Sequence, residues 1–176
     1  MRTTRPARGV TLIEALIAII ILSMAALGYA ALQMRGLSSN AGALWRSKAV
    51  LLAGEAADRL RANLPGVTAG HYNSRTTFTG TCPYPSACVS GSTCTAAQMA
   101  QDDFVQWRCK LQDALPGGGG VICLDSTPDD GNLTSPACDG SGTALAVKVF
   151  WSEAAASPRS GSDLDAERRV VTQVRP

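Results

Sequence analysis

Histidine is almost missing from this chain: His71 is the only one in 176 residues. No serine, cysteine or aspartate motif surrounds it, so it reads as a packed or solvent-exposed side chain and not as a general base. Metal-ligand spacing is missing too. Cys82, Cys88 and Cys94 are separated by five residues each, with no Cys-x-x-Cys pair, and one histidine cannot complete a zinc set. The glycines Gly117 to Gly120 lack the following Lys-Ser/Thr of a phosphate loop and read as a flexible turn. Basic excess is also absent. The formal charge of +2 becomes −1 once Arg2, Arg5 and Arg8 are set aside. A nucleic-acid binder carries a concentrated positive face, so no nucleic-acid partner is expected. Nor does any nucleophile and base constellation, cofactor motif or small-molecule site stand out, and the chain is not expected to be an enzyme.

What is there lies at the front. Gly9-Val10-Thr11-Leu12-Ile13-Glu14 is followed by eighteen residues, Ala15 to Leu32, without a single charge. Three arginines precede this run, which is long enough to cross a bilayer core, and basic residues before an apolar run hold that end in the cytoplasm. Glu14 is out of place: at the centre of a membrane helix a carboxylate costs roughly 2.5 to 3.5 kcal/mol, and less near its end. It needs a partner. Cleavage after Gly9 would supply one, because the new amine on Val10 would lie one helical turn away. Two plainer readings compete. An ordinary secretory signal could be cut near Gly28-Tyr29-Ala30-Ala31, although Glu14 would weaken it. A simple single-pass anchor could let Glu14 snorkel to the headgroups.

Gly followed by an apolar residue, then Thr-Leu-Ile-Glu and an unbroken apolar run, resembles the prepilin signature of type IV pilins and type II secretion pseudopilins. That resemblance implies cleavage between Gly9 and Val10 and N-methylation of Val10 by a prepilin peptidase, with the apolar segment kept as an assembly helix. Members of these families most often begin with Phe; this chain has Val10.

From Gln33 the helix continues, with Leu37, Ala41, Leu44, Leu51, Leu52, Ala56 and Leu60 near a helical period and Arg46, Lys48, Glu55, Asp58 and Arg59 mostly on other faces. Leu64-Pro65-Gly66 ends it. Helix from Val10 to Asn63 would run about 80 Å, far beyond what a membrane needs, so its second half must pack on something outside. Residues 67–93 are rich in Thr, Ser, Gly and Pro and read as a long loop. Thr95 and Gln98 form a capping box ahead of a helix from Ala96 to Leu115 whose Phe104, Trp107, Leu111, Ala114 and Leu115 share a face, which makes Trp107 a core residue. Strands are expected at Val121–Leu124, Thr143–Trp151 and Arg169–Val174. In the middle one Leu145, Val147, Val149 and Trp151 alternate with Ala146, Lys148 and Phe150, the pattern of a sheet with one buried face. The acidic stretch from Asp125 to Asn132 departs from EF-hand spacing and reads as a solvated turn more than a calcium loop.

Six cysteines, Cys82, Cys88, Cys94, Cys109, Cys123 and Cys138, all follow the apolar helix. An even number in an exported domain reads as disulfides in an oxidising compartment, with fifteen pairings open.

The segments Leu27 to Leu37, Asp58-Arg59-Leu60-Arg61-Ala62-Asn63, and Asp103-Phe104-Val105-Gln106-Trp107-Arg108 with Leu115-Pro116-Gly117-Gly118 look like minor pilins of the PilV type. The fold implied is α+β: a pilin fold whose long N-terminal helix, membrane-spanning in its first half, packs on a small antiparallel sheet head with disulfides. The organisation implied is a cleaved leader over 1–9, a transmembrane and assembly helix over 10–33, its amphipathic continuation over 34–64, and a periplasmic or extracellular head over 65–176. The function implied is priming of type IV pilus assembly at or near the tip, with roles in twitching motility and adhesion. Implied partners are the prepilin peptidase, other minor pilins, the major pilin and, before assembly, the inner membrane. Glu14 is the implied docking residue. A minor pseudopilin of a type II secretion system is the alternative, and a surface or DNA receptor subunit of a pilus is a third.

Overall fold

The structure is a computed structural model that describes residues 11–77, 82, 88, 93–153 and 167–175. Helix α1 spans Leu12–Ala62 and belongs to two compact units that divide after Gly42. In the first unit every residue from 11 to 40 is exposed. In the second, α1 contributes Ala49, Ala53, Ala56, Ala57 and Leu60 to the core, a stripe at helical spacing made mostly of small side chains. The expected face is therefore corrected in part. Ala56 and Leu60 are buried and Leu52 is partly buried, but Leu37, Leu44 and Leu51 are more than half exposed.

The helix does stop ahead of Leu64-Pro65-Gly66, and a short helix, α2, begins there at once, Leu64–Thr68. Asn63 caps it, accepting the amide of Gly66 at 3.2 Å, and Pro65 sits in the first turn, where no intrahelical donor is needed. The start of the expected loop is thus helical, with Val67 buried. Helix α3 covers Ala96–Ala114, and the capping box forms as the sequence predicts: Thr95 Oγ1 accepts from Gln98 N at 3.3 Å and Thr95 N donates to Gln98 Oε1 at 2.9 Å. Phe104, Trp107 and Leu111 are buried along it.

Three strands form one antiparallel sheet in the order β1-β2-β3: β1 Gly119–Leu124, β2 Leu145–Ser152 and β3 Glu167–Val174. Only the first half of the glycine run is a turn, with Gly117 at φ 59°. Gly119 and Gly120 open β1, and the reason is tertiary: a Cβ on Gly120 would lie 2.6 Å from Trp107 Cη2. The central strand departs from the one-sided pattern, since all residues from Leu145 to Trp151 are buried. Leu145, Val147, Val149 and Trp151 join α1 and α3 in the main core. On the opposite face Phe150 packs with Val121 and Cys123, next to Leu133 and Cys138 of the loop between β1 and β2. That loop is a second cover through Leu133 and Cys138, while within its acidic stretch Ser126, Thr127, Asp129 and Asn132 are exposed and Asp125 is buried.

Candidate assembly site

The N-terminal motif meets the described structure at Thr11. Gly9 and Val10 lie outside the described residues. The amide of Glu14 donates to Thr11 Oγ1 at 3.4 Å, and Glu14 stands in the first turn of α1, where unpaired peptide N–H groups favour a carboxylate. Among the described residues Glu14 has no ion pair. Around and beyond it Leu12, Ile13, Leu16, Ile17, Ile20 and Leu22 are about half to four-fifths exposed. Each such side chain gains about 1.5–3 kcal/mol when removed from water, so this surface is built for lipid or for another chain. The helix is long and apolar enough to cross a membrane.

In the second unit a polar network fastens α1 to α3. Arg59 binds Glu55 at 2.7 Å and Asp103 at 2.7 Å, and Lys110 reaches Glu55 at 2.6 Å. Burial alone would raise the Glu55 pKa, but the hydrogen bonds and charges of Lys110 and Arg59 hold it below the ordinary carboxylate value. Asp103 also accepts from the buried Tyr72 hydroxyl, whose ionisation is pushed far up by desolvation and by that carboxylate. Asn63 completes the set, donating to Tyr72 at 3.0 Å and to the Ala96 carbonyl at 2.8 Å. Trp107 Nε1 donates to the Leu52 carbonyl at 2.8 Å, a further tie between the two helices. One turn along α3, the Arg108 guanidinium lies 4.7 Å above the Phe104 ring, and its burial lowers its pKa to about 10. The segments 58–63 and 103–108, both parts of the sequence resemblance, thus meet at Arg59 and Asp103.

Disulfides join Cys82 to Cys109, Cys88 to Cys94 and Cys123 to Cys138. The last closes the loop between β1 and β2, and a buried charge holds the same loop from within. Lys148, wholly buried on β2, meets Asp125 at 2.5 Å, Asp130 at 2.8 Å and the Pro136 carbonyl at 2.9 Å. Arg169 of β3 holds Asp129 at 2.9 Å. All three aspartates of the acidic stretch, Asp125, Asp129 and Asp130, are therefore paired with the chain's own cations, Lys148 serving two of them. Cys123, Asp125 and Cys138 gather their heteroatoms within 4.8 Å, but the two sulfurs are bonded to each other and Asp125 is taken by Lys148.

Of the predicted site residues, Glu14 belongs to the first unit and all six cysteines to the second, where they are brought together in pairs. His71 is exposed. Sequence reasoning missed the Asn63–Tyr72–Asp103–Arg59 network and the buried Lys148. The only local signal for the former was Asn63 ahead of Leu64-Pro65; Lys148 looked like the outward half of an alternating strand.

Residues 4–30 match the family model described as the prokaryotic N-terminal methylation motif, and residues 31–105 match the model described as Type IV pilin Tt1218. No curated protein and no solved structure matches the chain.

Proposed function

We propose that this chain, with a type IV pilin domain behind an N-terminal methylation motif, is a minor pilin that enters the pilus at or near its tip and helps to prime assembly. The observation that carries the reading is the run from Thr11 to Leu32: exposed throughout, uncharged after Glu14, and matched as far as Ala30 by the methylation motif. On this reading a prepilin peptidase cuts between Gly9 and Val10 and methylates Val10. The subunit first resides in the inner membrane with its N-terminus in the cytoplasm and its head in the periplasm. The apolar half of α1 then leaves lipid for the company of other minor pilins and the major pilin, and the head is displayed on the pilus surface, where twitching motility and adhesion depend on it.

Glu14 gives the transfer a direction. At about 4 Å and an effective dielectric near 20, a pair between this carboxylate and a neighbouring subunit's N-terminal amine is worth roughly 4 kcal/mol, comparable with the cost of burying the carboxylate. Docking beneath a neighbour satisfies it, which places the subunit below the outermost position. The test is Glu14→Ala. Membrane insertion and cleavage should persist, while crosslinking to other minor pilins and the number of surface pili should fall. Normal pili holding the variant at its usual level would contradict the docking role.

A further inference from the structure

The loop between β1 and β2 carries a motif that the assembly role does not use. Of the chain's four asparagines, only Asn132 begins the pattern Asn-x-Ser/Thr, as Asn132-Leu133-Thr134. In an exported domain that pattern marks an acceptor for an N-linked sugar, which has to lie on the surface. Here it does. Asn132, Thr134 and Ser135 are exposed, at a turn that Gly131 enters with φ 76°. Leu133 between them packs on the cluster of Val121, Cys123 and Phe150, and its amide donates to Glu167 Oε1 at 2.6 Å. The exposed residues on either side of it therefore stand on a fixed base.

The local chemistry suits a transfer to the amide. Thr134 Oγ1 donates to Asn132 Oδ1 at 2.8 Å, and Ser135 N donates to the same oxygen at 2.7 Å. Among the described residues no hydrogen bond engages Asn132 Nδ2. An amide nitrogen is a weak nucleophile because its lone pair is shared with the oxygen; two donors on that oxygen stabilise the negative charge left when the nitrogen gives up a proton. Asp130, two positions ahead, is held by Lys148 and Thr127 with 44% of its side chain exposed, and offers a carboxylate beside the acceptor for a cationic enzyme pocket to read. There is also room. A groove of about 560 Å³ shares Leu133 and Thr134 with the motif, and its Gly117, Gly118 and Gly119 leave one wall without side chains.

We infer that Asn132 is a glycosylation site, modified after export by a membrane oligosaccharyltransferase whose donor is a sugar carried on a polyprenyl diphosphate. Asn132 Nδ2 forms a bond to the anomeric carbon, the bond from that carbon to the diphosphate oxygen breaks, and its electron pair leaves with the lipid diphosphate. The proton lost from Nδ2 passes to a base of the enzyme, so an amide N–H and a glycosyl diphosphate become an N-glycoside and a free lipid diphosphate. The sugar is attached to the cover of the sheet face opposite α1 and α3, where it leaves helix packing undisturbed. The inference rests on the pilin reading only for export of the head.

The test uses the protein isolated from its own cells, reduced and digested with trypsin. The peptide covering residues 111–148 holds Asn132 as its only asparagine. Tandem mass spectrometry should find this peptide heavier by one or more sugar residues, with the added mass on Asn132. Asn132→Gln and Thr134→Val should each lower the modified fraction at least about tenfold, whereas Thr134→Ser should keep it within about twofold. The peptide of the unaltered protein found only at its unmodified mass overturns the inference, and so does a sugar that survives Asn132→Gln, since it would sit on a hydroxyl. A methylated Val10 together with a bare Asn132 sinks this inference alone; a sugar on Asn132 of a chain that begins near Ala31 sinks the pilin reading alone.

Discussion

Between residues 11 and 40 helix α1 buries nothing, whereas from Ala49 to Leu60 the same helix buries five residues. The first stretch carries the larger aliphatic side chains and leaves them outside; the second buries mainly alanines. Hydrophobicity therefore does not decide which half enters the fold. What decides is whether a partner exists within the chain. In the second unit α3 and the sheet supply it, and small side chains allow the helix to approach. In the first, no described element packs on the helix, and the favourable free energy of removing those side chains from water is left for a bilayer or another subunit.

The contrast breaks most visibly where a large core residue is removed. Trp107→Ala should cost about 3–5 kcal/mol of head stability, by opening a cavity and by freeing the Leu52 carbonyl, read by denaturant unfolding of the full chain in micelles. Lys148→Met should cost nearly as much, roughly 3–5 kcal/mol, since the buried Asp125 loses its partner; the same change together with Asp125→Leu should recover most of it.

A smaller effect concerns pH. The Glu55 carboxylate titrates lower in the folded chain than in the unfolded one, so the folded state binds fewer protons there. Its contribution is present above the ordinary carboxylate range and is lost as pH falls through the lowered folded value. Glu55→Gln should flatten the acid side of the stability profile and cost no more than about 1 kcal/mol at neutral pH. Smallest of all, Leu22→Ala in the exposed stretch should change head stability by less than about 0.5 kcal/mol. A loss of several kcal/mol there would mean that the first stretch does have a partner within the chain.

Much of the fold could be read ahead of the structure. Thr95 and Gln98 marked the start of α3 and Pro116 its end, because each signal is local and is satisfied locally, and the alternation from Leu145 to Trp151 marked β2 although its second face proved buried as well. The buried face of α1 was harder, since Leu44 and Leu51 outweigh Ala49 and Ala53 in any hydrophobic pattern while geometry favours the smaller residues. Lys148 was hidden for another reason: its carboxylate partners lie 18 and 23 positions earlier, in a stretch that resembles a solvated turn. Gly119 and Gly120 looked like turn residues until Trp107 and Leu133 showed why side chains are unwelcome there. At the candidate site the signature from Gly9 to Glu14 was legible, and the network joining Arg59 to Asp103 was not, because 44 residues separate its two ends.

The fate of the exposed apolar stretch during maturation separates an assembly helix from an export signal. Mass spectrometry of the protein isolated from cells should find a methylated Val10 at its N-terminus, with Glu14 and the whole run to Leu32 retained. A mature chain beginning near Ala31 would show that the stretch is a discarded export signal, and would contradict the proposal that it is an assembly helix.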